Sequence, residues 1–393
     1  MRRRSAHSLR AGFELVMKLR LKKALLIGVG VVVTALSLCL FVPPLVRQWS
    51  QVVETFQRAN YLCLIPAIGF LGVLYYFRVV RWQLFLRPIK RVRKLSVTSA
   101  TCIGFMANCV LPFRVGEIVR PYVLHRKEGI GFAHALATAA GLERIFDLIG
   151  LSLLLIITWF MMGTYVPRGS QGARLAAPTE MSGELGGTAT EQGTGEDVTA
   201  GHIWKRGMLF AAMAAAGCVG LVALVFFPAP LLRLGESCTR VLPASLRGMA
   251  NRFMHAVVDA MGFIKSWKGA LVAAAYSLGI WVAQGLSNYA LARGLGVDIG
   301  LAGAFFVGIA VAVAVAPPQL PAFAGSFHLA ATVAAMGFHA AGGEAMAFAL
   351  LMWLVNVLPI TLVGLGFLWR EGLGLGQLAA ASRSLKEAPQ PEG

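Results

Sequence analysis

The chemistry of this chain concentrates between Asn108 and Asp147, where four acidic and five Lys/Arg residues sit in an otherwise overwhelmingly apolar sequence. Asn108, Arg114, Glu117 and Arg120 cluster around a backbone break made by Leu111-Pro112 and Gly116, and Glu143, Arg144 and Asp147 follow further on. Proline and glycine stop an apolar segment from continuing as a plain helix. Ionisable groups beside such a break are expensive in a bilayer and by default mark a substrate or ion pathway. Arg114 and Arg120 can take an anionic head group or simply anchor the chain at the membrane surface. Glu117 can face a site or cap the helix that follows. Glu143 and Asp147 share a helix face, and Arg144 stands three residues before Asp147, which suits either a structural ion pair or a proton or head-group relay.

Composition says what must position these groups. Hydrophobic residues make up 57% and charged residues 14%, against roughly 25% charged in soluble proteins. Several apolar runs approach the ~20 residues that cross a hydrocarbon core. A net charge of +18 would suggest nucleic acid in a soluble protein. Here the cations lie between apolar runs, so the positive-inside rule accounts for them and no nucleic-acid partner is expected. The six cysteines show no disulfide or metal spacing. There is no Gly-rich nucleotide loop and no nucleophile elbow. We therefore expect no metal and no cofactor.

Taken in order, residues 1–23 read as a basic cytoplasmic N-terminus and 24–162 as a first transmembrane repeat. That repeat holds spans at 24–42 and 61–82, a broken hairpin around 98–120, and a long helix over 132–162. The seven Lys/Arg of 78–94 are assigned to the cytoplasmic side. Residues 163–203, rich in Gly, Thr and Glu, read as a disordered external loop. A second repeat covers 204–370, with spans at 207–227, 270–291 and 345–369. Its apolar run 301–316 is broken by Pro317, Pro318 and Pro321 before resuming at 323–336, and 371–393 is a cytoplasmic tail. The two halves enter from opposite sides, and Leu111-Pro112-x-x-x-Gly116 is matched by Leu320-Pro321-x-x-x-Gly325. The expected fold is an all-α integral membrane protein, a polytopic helix bundle with two inverted-topology halves, each carrying a broken re-entrant hairpin.

The pattern Asn108-x-x-Leu111-Pro112-x-Arg114-x-Gly116-Glu117-x-x-Arg120, followed by Glu143-Arg144-x-x-Asp147, resembles the lysylphosphatidylglycerol synthase transmembrane region, or flippase-like family. Pro317, Pro321, Phe323, Gly325, Phe327 and His328 are similar to the Pro/Gly-rich turn of its second half. Ala322 stands where the family usually has Gly, and His328 where many members have Glu. No aminoacyl-transfer domain follows residue 370, so the resemblance implies the lipid-translocating part alone.

The resulting expectation is a multi-pass protein of the cytoplasmic membrane, termini inside, that moves an anionic or phosphate-bearing lipid between leaflets. Asn108, Arg114, Glu117, Arg120, Glu143, Arg144, Asp147, Gly325 and His328 are the expected substrate-binding residues. His328 can be a packing histidine or a titrating switch. The alternative is an integral membrane transferase acting on a polyprenyl-phosphate or phospholipid, with Glu117 and Glu143 in acid–base roles. A third possibility is a non-catalytic subunit docking a lipid-synthesis enzyme. The sequence sets neither the lipid nor the oligomeric state.

Overall fold

The computed structural model describes residues 28, 30–112, 114–163, 267–317, 321–374, 376 and 377. The basic N-terminus, the 163–203 loop beyond its first residue, the 207–227 span, nearly all of the 228–268 segment, Pro318 and Leu320 of the second break, and the tail beyond 377 lie outside the described residues. Among the described residues the regular elements are all helical. Among the described residues five helices are long and apolar enough to cross a membrane: Gly30–Arg47, Tyr61–Leu86, Phe132–Met161, Trp267–Gly294 and Gly342–Arg370.

The helices are α1 (Gly30–Arg47), α2 (Trp49–Gln57), α3 (Leu64–Leu86), α4 (Lys94–Val110), α5 (Gly116–Glu128), α6 (Phe132–Leu136), α7 (Glu143–Gly163), α8 (Trp267–Gly294), α9 (Gly300–Ala314), α10 (Ser326–Met336) and α11 (Gly342–Arg370). The helix expected over 132–162 is nearly continuous, but its axis passes through a π-helical turn at Ala137–Leu142 between α6 and α7. Such wide turns close i→i+5 hydrogen bonds in place of the i→i+4 bonds of the α-helix. Thr138 in this turn accepts a 3.1 Å hydrogen bond from the buried Trp82 indole.

Two helix pairs are too short to span. At 1.5 Å per residue α4 and α9 are about 26 and 22 Å long, and their partners α5 and α10 about 20 and 17 Å. The hydrocarbon core is about 30 Å. The α4–α5 link turns at Arg114, whose φ of 53° is unusual for a side-chain-bearing residue. The α9–α10 link holds Ala322 and Phe323, both at φ 57°, and Gly325 at φ 89°. A two-glycine crossing brings α4 and α5 together: a Cβ on Gly116 would stand 1.9 Å from the Gly104 carbonyl oxygen and 2.5 Å from Asn108 Oδ1. Only glycine permits that approach.

The largest apolar core joins α3, α8, α9, α10 and α11, and a second joins the end of α3 to α4, α5 and α6. α8 lies along both α3 and α7, and α11 along α4. At the base of the α4–α5 hairpin, Glu371 just beyond α11 pairs with Lys127 and accepts a 2.9 Å hydrogen bond from Ser99. Large exposed apolar side chains, including Ile65, Phe160, Leu271, Leu362 and Trp369, stud the outward faces. In water such a surface would drive association; in lipid it needs no cover. The protein is a multi-pass membrane protein.

Candidate functional site

The hairpin tips meet. Arg114 Nη1 donates to the Ala316 carbonyl at 2.9 Å, and its guanidinium lies 5.9 Å from the Phe323 ring centroid. The carbonyl it reaches lies just past the C-terminus of α9, where helix carbonyls lack intrahelical partners and carry partial negative charge. Arg114 thus ties the turn of one broken pair to the turn of the other.

Behind this contact is a cavity of about 630 Å³, lined on one side by α3, α4, α5 and α7 and on the other by α8, α9, α10 and α11. Asn108, Arg114, Glu117, Arg120, Glu143, Arg144 and Asp147 all line it. Gly325 and His328 do not. Gly325 packs against Thr34, Ser37 and Leu38 of α1. The His328 ring sits among Phe41, Phe327 and Trp353, with centroids 5.2, 6.0 and 5.3 Å away. Gly325 and His328 thus face α1 and α11, while Phe327 between them turns to the cavity.

Three ionic groupings organise the charged wall. Arg120 donates to both oxygens of Glu143, at 2.6 and 2.7 Å, with both side chains buried. The same guanidinium lies 4.0 Å from the Trp82 ring centroid, a cation–π contact that completes its enclosure. Asp147 pairs with the fully buried Arg81 at 2.7 Å, and Arg81 also donates to Ser277 at 2.6 Å. Arg78 approaches the other Asp147 oxygen at 3.9 Å and lies over Phe105. Glu117, in the first turn of α5, is shared between Arg144 and Arg114, the latter at 3.2 Å.

The Arg144–Asp147 pair expected within one helix is therefore not the one that forms. Asp147 faces the buried arginines of α3, whereas Arg144 stands at the rim, 46% exposed, and reaches across to Glu117 on α5. Arg78 and Arg81, counted in the sequence with the cytoplasmic cations, turn inward to Asp147. Both lie within α3, and Trp82-Gln83-Leu84-Phe85-Leu86 continues the helix beyond them. That continuation was the available signal: an i,i+3 arginine pair with apolar helix on both sides calls for buried partners.

Among the described residues the opposite wall carries no such charges. Gln284 and Asn356 supply amides, and Val311, Ala312, Val313, Val315 and Ala316 supply apolar surface and backbone. Gln284 donates to Asn288, and Asn288 to the Ala304 carbonyl, so part of this polarity is interhelical bonding. Among the described residues no group of three or more His, Cys, Asp or Glu has metal-ligand geometry. The site is a polar, arginine-rich cavity inside a helical membrane protein.

Comparison with known proteins agrees with that class. The sequence profile described as the lysylphosphatidylglycerol synthase TM region matches residues 25–364, and the chain belongs to this family. It is also similar to a protein of Haloferax volcanii named glycosyltransferase AglD, with 28% identity over 145 residues. The match covers 36% of this chain and 22% of the relative, so only a minor part of that protein is shared. No solved structure matches.

Proposed function

We propose that the protein translocates an anionic or phosphate-bearing lipid between the leaflets of the cytoplasmic membrane, with both termini on the cytoplasmic side. The observation that carries this reading is the arginine-rich cavity where two broken helix pairs meet. Backbone that is not helical at membrane depth is tolerated where it is buried in protein or lines a cavity. The arrangement suits two inverted halves rocking about a central site. The head group would enter past Arg144, while its tails stay beside Leu148 and Val313, two exposed apolar residues that also line the cavity. With no ATP-binding motif in the sequence, a gradient or simple equilibration would set the direction.

The test is reconstitution in liposomes with a fluorescent phosphate-bearing lipid, following the fraction accessible to an impermeant quencher. Wild-type protein should equilibrate the probe between leaflets. Arg114→Gln should slow transfer at least about tenfold, the worth of one charge-assisted hydrogen bond. Its thermal stability should fall by no more than about 1 kcal/mol, because its partner Glu117 keeps Arg144. Transfer at the wild-type rate in this variant ends the assignment of the cavity.

The similarity to a protein named as a glycosyltransferase supports a second reading, an integral membrane transferase acting on a polyprenyl-phosphate or phospholipid. Glu117 and Glu143 would be its acid–base pair. Both oxygens of Glu143 already accept from Arg120, which leaves that carboxylate badly placed to take a proton. Appearance of a new lipid species in the same liposomes would favour the transferase.

A further inference from the structure

The geometry points to a dianionic head group as the ligand of this cavity: a phosphomonoester or a diphosphate, rather than the single negative charge of a phosphodiester. The inference rests on reading the cavity as the head-group site, and it follows from how the carboxylates are shared. Arg120 and Glu143 form a closed one-to-one pair through two hydrogen bonds. The other two carboxylates each serve two arginines. A single oxygen of Glu117 meets both Arg114 Nε and Arg144 Nη2. Asp147 meets Arg81 at 2.7 Å and Arg78 at 3.9 Å.

Arginine does not lose its proton inside proteins, so each shared carboxylate leaves one positive charge uncompensated. Among the described residues the opposite wall brings no carboxylate to the cavity. The excess charge on α3 is held largely away from water and is costly until an anion joins it, whereas the one at the rim is partly hydrated and free to meet a ligand as it enters. They also come from separate places, one at the rim between α5 and α7 and one deeper on α3. Arg78 is the least committed of the five. Its side chain is 17% exposed, it lines the cavity, its Nε is buried without a hydrogen-bond partner, and its ion pair is the longest of the set. At about 630 Å³ the space holds far more than one phosphate group. A phosphomonoester or diphosphate seated between Arg78 and the Arg114–Arg144 edge would meet both excess charges, and fork-shaped guanidiniums suit phosphate oxygens.

The experiment measures binding to the purified full chain in detergent, using dodecyl phosphate and its methyl diester, which keeps the tail but carries one charge. A phosphomonoester gains its second charge near pH 6, so binding is compared at pH 5.5 and pH 8. Dodecyl phosphate should bind about tenfold more tightly than the diester at pH 8, and the two should converge at pH 5.5. The protein's own titratable groups facing the ligand are Glu117 from α5 and Glu143 and Asp147 from α7, among arginines of α3, α5, α7 and the α4–α5 turn. The diester reports their influence. Equal affinities at both pH values overturn the inference.

Arg78→Gln and Arg144→Gln should each reduce the preference at pH 8 to about threefold or less; a preference unchanged in both overturns it as well. Should either variant fail to fold, the wild-type pH series still decides. Inorganic pyrophosphate supplies the tail-less arm. Binding at least about tenfold weaker than dodecyl phosphate identifies a lipid as the source of the dianion. Equal binding supports the dianion inference with a soluble phosphate compound as its source, and removes the lipid reading. Leaflet transfer of a diester lipid without any monoester preference sinks the dianion inference and leaves translocation standing. A monoester preference without transfer does the reverse.

Discussion

The two backbone breaks of this protein use the same device and opposite chemistry. Each joins a pair of short helices through residues forced to positive φ, Arg114 in one, and Ala322, Phe323 and Gly325 in the other. Around the first, the side chains are ionic: Glu117, Arg120, Glu143 and Arg144. Around the second they are aromatic: Phe323, Phe327, His328 and Trp353, with the Trp353 indole donating to the Ala322 carbonyl at 2.7 Å. The first break is held by ion pairs, and the second by packing. A broken helix at membrane depth therefore does not by itself mean a charged site; the side chains around it decide.

The strongest way to break this contrast is to remove half of the closed pair. Arg120→Gln or Glu143→Gln leaves a buried charge without its partner and should cost about 3–5 kcal/mol, read as a lower thermal unfolding midpoint in detergent. Replacing both together, Arg120→Met with Glu143→Leu, should recover most of that loss, since isosteric apolar pairs often match buried ion pairs. A single variant with unchanged stability would show that the pair is open to water and belongs with the binding groups.

A milder change sharpens the aromatic side. His328→Phe keeps ring volume and packing, so stability should change by less than about 1.5 kcal/mol. Leaflet transfer should keep the same profile between pH 5.5 and 7.5 as in the wild type. A profile that flattens only in the variant would make His328 a titrating group and undo the division between the two breaks.

The smallest effect is expected at the hairpin base. Partial burial pushes the Glu371 carboxyl up, but hydrogen bonds from Lys127 and Ser99, with the charges of Lys127 and Arg370, hold it below its ordinary value of 4.5. The folded state then binds this proton less readily than the unfolded chain. Its stabilisation is present above the unfolded value and is lost as pH falls through the lower folded one. Glu371→Gln should remove up to about 1 kcal/mol at pH 7 and nothing at pH 2, seen by thermal unfolding at both.

Much of this was legible in the sequence for a physical reason. Apolar runs of span length and the Pro/Gly breaks are local features, and the helices α3, α8, α9 and α11 lie close to where hydropathy placed them. Ionisable residues beside a break announce themselves, and Arg114, Glu117, Arg120, Glu143, Arg144 and Asp147 all reach one cavity, while Lys127 turns to Glu371 at the hairpin base. Partnership was not legible, because it depends on helix rotation. Helical spacing suggested Arg144 with Asp147, yet the groups that close on each carboxylate come from other helices, Arg81 from α3 and Arg144 reaching α5. Arg78 and Arg81 were hidden among a run of cytoplasmic-looking cations. Gly325 and His328 sat in a matching motif in which Phe327 reaches the cavity while its neighbour His328 turns to α1 and α11.

The wide turn at Ala137–Leu142 fixes the rotational phase of everything downstream in α7. Each residue of an α-helix advances the face by about 100°, so Glu143, Arg144 and Asp147 inherit their bearings from that one turn. Were a single residue lost there and the helix closed to an ordinary pitch, the three would rotate together. Glu143 would leave Arg120, Asp147 would leave Arg81, and the rim arginine would swing to another side of the bundle. The spacing of charges along the chain would be untouched, and their correspondence across helices would be gone. Six residues without a charge among them thus work as the timing mark for the ionic wall.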